Sequence, residues 1–393
     1  MEKYKATQRG RIGGIMQELI GFEITKLLRK PLVWASLAGM LLMMVLMAYN
    51  WVMPYVYTYR GEEIDGELRF TQGTDTIVRN KEIAARFAGP LTTQKAQEII
   101  ETYMFSREAM ESQGMDPDRQ RNYSHNSMYN VLAGDGFAKM DGSYSGATVE
   151  EIYGSDLAPD LVLGYFDGWE NTIYALIYDF LSWGCVVIII LTPLFAEEYT
   201  KRTDALILTG KRGRTSCPVA KVIAAYVVSL AGSLILLGFF TLIMVIYHGT
   251  TGFDTSAQLG TMGLFHGVPY TLTWGQAYAF GCLIWLGAMA VLIAICLVVS
   301  ALAKNSFGAL VIAFALYAIP LFIPWQLFPG PLPLIGSLTP INQMKMFDLT
   351  DFAKLNLGDF QLNVMWLSLP IAIVATVISI FWSKRAFAKH QVL

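Results

Sequence analysis

The sequence predicts an all-α integral membrane protein: six transmembrane helices, both termini in the cytoplasm, and a mostly helical extracellular insert between the first two helices. Three observations carry this. Of 393 residues, 54% are hydrophobic and 15% charged, with a mean hydropathy of +0.43, more apolar surface than a soluble core would bury. Six stretches are nearly free of charge and reach the ~20 residues that a helix rising ~1.5 Å per residue needs to cross ~30 Å of hydrocarbon. Lysine and arginine are segregated into alternate flanks of those stretches, the pattern that keeps positive charge on the cytoplasmic side.

The leader, 1–31, carries Lys3, Lys5, Arg9, Arg11, Lys26, Arg29 and Lys30, which places it inside. Within it Met16, Ile20, Ile24, Leu27 and Leu28 recur at helical spacing, with Gln17, Glu18, Thr25 and Arg29 opposite. That pattern reads as an amphipathic helix lying in the cytoplasmic interface, or else as a polar leader docked on the protein's own loops. The first span, 32–54, is too long and bulky for a cleaved signal and is read as retained. The remaining spans fall at 173–196, 219–247, 276–303, 306–325 and 364–382, forming with their loops a bundle over 170–393. Basic residues 201, 202, 211, 212, 214 and 221 fill the second-to-third loop, and 384, 385 and 389 the tail, so both belong inside. The even count of crossings then puts 55–169, 248–275 and 326–363 outside, and the small turn at Lys304-Asn305 inside.

The insert, 55–169, is acidic, with runs at Glu62-Glu63, Asp116-Pro117-Asp118 and Glu150-Glu151. Thr92 can cap a helix whose Ile99, Ile100, Tyr103 and Met104 form one apolar face and which ends near Gly114. A weaker helix is expected over 75–87, and Gly134, Gly136, Gly142 and Gly146 punctuate a looser later part with little strand alternation. Pro320 and Pro324 break the outer end of the fifth span. The apolar stretch from Phe328 to Ile335 after them reads as a re-entrant piece or as a surface loop.

Several chemistries are excluded by pattern. A net charge of −2 says nothing by itself about nucleic acid; the charges are instead strongly segregated along the chain, and no nucleic-acid partner is expected. The four cysteines, 185, 217, 282 and 296, suit neither a disulfide framework nor a metal site, and His125, His248, His266 and His390 are scattered without ligand spacing. Asn122-Tyr-Ser matches a glycosylation acceptor, a pattern common by chance. Thr209-Gly-Lys-Arg-Gly-Arg-Thr-Ser is not a phosphate loop, because residue 205 is Ala and Arg212 follows the lysine. The chain is therefore not read as an enzyme. Asp179 is the one acid within an apolar run. It marks a translocation path, or sits near enough to the headgroups to reach water in a structural role.

The most informative segment is the cytoplasmic loop 197–218. Thr203 is placed to cap a short helix, Asp204 favours its positive dipole end, Leu206, Ile207 and Leu208 supply apolar contacts, and Gly210 closes the turn. Thr215 or Ser216 then caps the next helix, with Pro218 in its first turn. Three adjacent aliphatic residues fenced by charge suit a docking surface. They equally suit a loop packed on its own bundle.

This segment resembles the coupling region of permease subunits from type 2 ATP-binding-cassette (ABC) exporters. There an acid ends one crossing, Gly/Thr-Asp/Glu-x-Leu-Leu/Ile-Leu follows, and Gly/Pro-x-x-Arg leads to a lysine opening the next; the positions here are Glu198, Thr203, Asp204, Leu206, Ile207, Leu208, Gly210, Arg214 and Lys221. The run Gly-Tyr-Phe-Asp-Gly-Trp at 164–169 is similar to the approach to the second helix in Gram-positive permeases with a large insert. The order of elements covers the whole chain, the local motifs about a tenth of it. The resemblance implies a multi-pass protein of a bacterial plasma membrane, embedded in lipid and paired with an identical or sister permease. Cytoplasmic ABC ATPase subunits would bind ATP and Mg, so the chain itself needs no cofactor. Glu197 and Arg212 join the nine positions above as the coupling residues, with Glu198 and Arg214 either salt-bridged at the joint or solvated. The cargo would be an amphipathic peptide, lipid-like molecule or drug. Readings from other classes are a membrane sensor with a ligand-binding ectodomain and a secondary transporter.

Overall fold

The computed structural model describes residues 2–53, 60–64, 67–112, 114, 116, 126–210, 212–266, 268, 270–345, 354–357 and 360–389. The Asn122-Tyr-Ser triplet, His125 and His390 lie outside them, as do the side chains of Lys3, Lys5, Arg9, Arg11, Glu62 and Glu63.

The leader forms one helix, α1 (Glu2–Leu28), and Pro31 opens the first span, α2 (Pro31–Met47), at a position where a missing N–H costs nothing. α2 ends in a π-helical turn, Ala48–Val52. The insert begins with a hairpin, β1 (Arg60–Ile64) and β2 (Glu67–Thr71), which the poor strand alternation did not signal. Then come α3 (Thr74–Phe87), β3 (Gly89–Pro90), α4 (Thr93–Tyr103), α5 (Arg107–Ser112), α6 (Ser127–Asp135), α7 (Val149–Tyr153) and β4 (Val162–Leu163), the last pairing with β3. Thr92 caps α4 as expected, accepting from the Lys95 N–H at 3.2 Å. The helix does not run unbroken to Gly114: it stops at Tyr103, and α5 resumes at Arg107. The stretch after Gly134 is more ordered than its glycines suggest, because Thr148 and Glu151 form a reciprocal capping box that starts α7.

The second span is α8 (Asp167–Leu191), continued past Pro193 by α9 (Pro193–Thr200). α10 (Asp204–Thr209) lies in the loop, followed by α11 (Ser216–His248), α12 (Trp274–Leu302) and α13 (Ser306–Phe322). After these come α14 (Leu332–Ser337), α15 (Pro340–Lys345), the hairpin β5 (Lys354–Leu357) with β6 (Phe360–Asn363), and α16 (Ser368–Lys389). The protein is thus an all-α membrane protein. Five helical stretches among the described residues are long and apolar enough to cross a membrane: Pro31–Val52, Asp167–Thr200, Ser216–His248, Trp274–Leu302 and Ser368–Lys389.

Expected boundaries shift most at the second, fifth and last spans, the second starting at Asp167 rather than 173. The fifth span stops at Phe322 rather than 325, 17 residues long, since Pro324 disfavours helical backbone in the residue before it. The last span begins four residues later than expected, after a 3₁₀ turn at Val364–Leu367, and runs on to Lys389.

α8 and α12 form the centre of the bundle: 67% and 61% of their most apolar windows are buried, against 22% for α2 and α16. Close approach of α8 to α11 depends on Gly232, where a Cβ would fall 2.1 Å from the Trp183 ring. The Trp183 indole then donates to Ser233 Oγ at 3.0 Å. The stretch after α13 turns back into the bundle: α15 packs on α8, α12 and α13, with Ile341, Gln343 and Met344 buried. The Trp285 indole donates to the Met344 carbonyl at 2.9 Å, and Trp285 lies eleven residues into α12, roughly 16 Å along it at 1.5 Å per residue. The stretch 328–335 itself stays largely exposed, and the chain returns to the bundle only with α15.

The insert is seated on the start of α8 by buried polar contacts: Asn80 donates to Asp167 at 2.8 Å and to Ser127 at 3.1 Å. Glu170 ties the same end of α8 to the loop between α11 and α12, accepting from the N–H groups of Thr261 and Met262 and from the Thr261 hydroxyl. Tyr165 donates to His248 Nδ1 at 2.6 Å, so Nε2 carries the proton given to the Val52 carbonyl at 2.8 Å.

Candidate functional site: a charged joint at the basic end of the bundle

At the end of the bundle away from the insert, α8 breaks where Pro193 removes one helix N–H. The Ser300 hydroxyl of α12 fills the gap: it donates to the Thr192 carbonyl at 2.8 Å and accepts from the N–H groups of Phe195 and Ala196. α9 therefore leaves α8 at a fixed bend and carries Glu197 and Glu198 on successive positions.

The two glutamates face different partners. Glu198 is almost fully buried and meets Lys221 of α11 at 2.6 Å and Lys26 of α1 at 2.8 Å. Lys221, with no exposed side-chain surface, also holds Glu23 of α1 at 3.0 Å, and its ammonium lies 5.9 Å from the Phe195 ring. Glu197 pairs with Lys30 and, at 2.6 Å, with Lys201, an exposed lysine whose pKa this carboxylate raises. Two buried carboxylates and one buried ammonium are costly to desolvate alone. Their mutual pairing, with Lys26 at the edge, offsets the charge and fastens α1, α9 and α11 into one joint.

The joint carries α10. Arg202, at φ 54°, makes the turn out of α9 in a left-handed conformation unusual for a non-glycine residue. Thr203 is the first residue before α10, yet its side chain does not cap the helix: its hydroxyl lies 3.5 Å from the Glu198 carbonyl, while its N–H bonds the same carbonyl at 3.0 Å. Gly210 closes α10 with extended rather than left-handed backbone, its N–H donating to the Ile207 carbonyl at 3.1 Å. Gly213 is the residue that needs to be glycine, since a Cβ there would stand 1.6 Å from the Ile207 carbonyl oxygen. The next helix is capped by backbone, not by Thr215 or Ser216 side chains: the Arg212 carbonyl accepts from the N–H groups of 215, 216 and 217 at 3.0–3.2 Å. Arg214 is not a salt-bridge partner of Glu198; among the described residues its Nε donates to the Leu208 carbonyl at 3.3 Å.

The three aliphatic residues do not face one way. Successive helix positions turn about 100°, so Leu206 points out, 78% exposed, while Ile207 is half-buried and Leu208 is 7% exposed in the core. Asp204 is buried as well. Leu206 stands among exposed Arg202, Thr203, Thr209 and Arg212, one apolar knob in a basic and hydroxylic rim.

Three members of the joint were not read from the sequence as site residues: Glu23, Lys26 and Lys30. Their spacing of three and four on the face that carries Leu27 was the available signal, an acid and two bases within an apolar stripe. Asp179 lies far from this joint, at the midpoint of α8. It does not reach water, since it is fully buried, and among the described residues neither carboxyl oxygen has a hydrogen-bond partner. Among the described residues, no cluster of three or more His, Cys, Asp or Glu could hold a metal ion.

Residues 18–387 match the family described as ABC-2 family transporter protein. No curated protein matches the chain.

Proposed function

Because the chain belongs to the ABC-2 transporter family, and is a permease subunit of an ABC transporter, we propose that a separate cytoplasmic ATPase drives it through α10 and that it moves an amphipathic substrate across a bacterial plasma membrane. The observation that carries the coupling is the contrast on α10: Leu206 projects 78% exposed, while the other face is anchored through Leu208 and Asp204. A partner's groove can grip such a knob, and the charged joint behind it converts a displacement of α10 into movement of α1, α9 and α11. For that to work, the contacts must differ between the nucleotide states of the partner. ATP and Mg bind the ATPase rather than this chain. A second permease, a further copy or a sister chain, completes the pathway.

The test is capture of the ATPase. Leu206→Asp in the full-length permease should abolish co-purification of ATPase subunits expressed from the adjacent genes, with membrane insertion intact. Undiminished capture would place the docking surface elsewhere. A membrane sensor predicts a cytoplasmic partner without ATPase activity, so the same experiment separates the two readings.

A further inference from the structure

Asp179 is enclosed with no exposed surface, and among the described residues neither carboxyl oxygen has a hydrogen-bond partner. Buried polar groups are otherwise almost always paired, and an ionisable group inside a membrane-spanning helix marks a route for ions, protons or substrate unless a partner explains it. Its direction on α8 follows from helix geometry. It lies about 40° from Trp183, which bonds Ser233 of α11, and about 100° the other way from Tyr178, whose ring stacks with Trp51 of α2. The carboxyl therefore points toward α11, flanked by α2 on the Tyr178 side and by α12 on the other, where Phe180 stacks on Trp285.

The surroundings on the α2 flank favour positive charge. Trp51, Tyr174 and Tyr178 form a group of rings at centroid distances of 4.4, 6.4 and 5.6 Å, and aromatic faces attract ammonium and guanidinium groups. Residues 55–169 beyond it hold nineteen Asp or Glu against ten Lys or Arg, an acidic surface that gathers cations. The wall on the α2 side is the π-helical turn Ala48–Val52, a wide turn of the kind found at functional sites, held to α11 through the His248 bond to Val52.

We propose that Asp179, flanked on its α2 side by the Trp51, Tyr174 and Tyr178 rings, binds the cationic group of an amphipathic substrate when the insert-side end of α2 moves off α8 and α11. This rests on the transporter reading above and names its substrate class: a neutral or anionic amphipath would leave the carboxyl unpaired.

The experiment uses the full-length protein in lipid nanodiscs with a fluorescent lipophilic quaternary ammonium and its neutral isostere, in which carbon replaces the charged nitrogen. Wild type should bind the cation at least tenfold more tightly than the isostere. Asp179→Asn should erase that preference, and Asp179→Glu should keep it. Equal binding of the two probes to wild type, or an unchanged preference in the Asn variant, overturns the proposal. Where the Asn variant fails to fold, labelling of wild-type Asp179 by dicyclohexylcarbodiimide, which attacks carboxyl groups in apolar surroundings, decides. The cation should protect Asp179 and the isostere should not; equal labelling overturns the proposal. ATPase capture through Leu206 is scored on the same samples. Capture without cation preference sinks this inference alone, and loss of capture in wild type sinks the transporter reading.

Discussion

Lys221 holds Glu23 and Glu198 together with none of its side chain exposed, and removing one partner of a buried pair leaves uncompensated charge. Lys221→Met should therefore cost about 3–5 kcal/mol, read as a lowered thermal midpoint in detergent. Lys26→Ala, at an ammonium 39% exposed, should cost under about 1 kcal/mol. Similar losses from both would show that the joint is solvated. Asp135 in the insert offers a different test. Its buried carboxyl accepts from the Tyr153 hydroxyl, lies 3.2 Å from His266 Nε2 and is pushed up to about 7 from 3.8, mainly by burial, with Glu170 nearby adding to the rise. The folded insert keeps that proton longer than the unfolded chain does, so stability is complete below pH 3.8 and drains away as pH rises through about 7. Burial also lowers the His266 pKa, a contribution that wild type and Asp135→Asn share. The Asn variant should thus gain thermal stability over wild type at pH 8 and not at pH 4, and a gain of equal size at both would exclude ionisation as the cause.

At the scale of elements, α10 separates docking from folding. Leu206→Asp should leave the thermal midpoint unchanged while ATPase capture is lost. Leu208→Asp buries a charge in the core and should lower the midpoint or prevent insertion. Equal thermal effects would mean that α10 does not sit as described. The short helix itself was legible in the sequence from the Thr203-Asp204 start and the Gly210 stop. Its capping was not: the Thr203 hydroxyl is turned back to the Glu198 carbonyl, and the Arg212 carbonyl takes the N–H bonds that Thr215 or Ser216 was expected to accept. The outer end of α13 shows the same limit. Pro320 and Pro324 announced a break, but whether the following chain would return to the bundle depended on Trp285 and Tyr317 offering contacts to Met344.

For the whole molecule, the basic flanks converge at one end: Phe387 near the tail stacks on Tyr199 and lies tilted against Phe195 of α9, while α1 joins the same end through its lysines. The insert occupies the opposite end. Placing a single cysteine at Met140, 54% exposed in the insert, or at Leu206, in a background free of the native four, tests which end faces outward. An impermeant thiol reagent should label the first in intact cells and the second only after permeabilisation. Labelling of residue 206 from outside would sink the docking proposal along with the orientation.

The lengths of the apolar runs, the alternation of charged flanks and the coupling motif lie along the chain itself, so the membrane class and the transporter family were readable before any fold. Which charges meet was decided by folding alone. Lys26 reaches Glu198 across 172 positions and Lys221 reaches Glu23 across 198. A lysine in a positive flank looks the same in sequence whether it faces solvent or neutralises a buried acid. Only the packing of α1 against α9 and α11 removes the water that makes those pairs necessary.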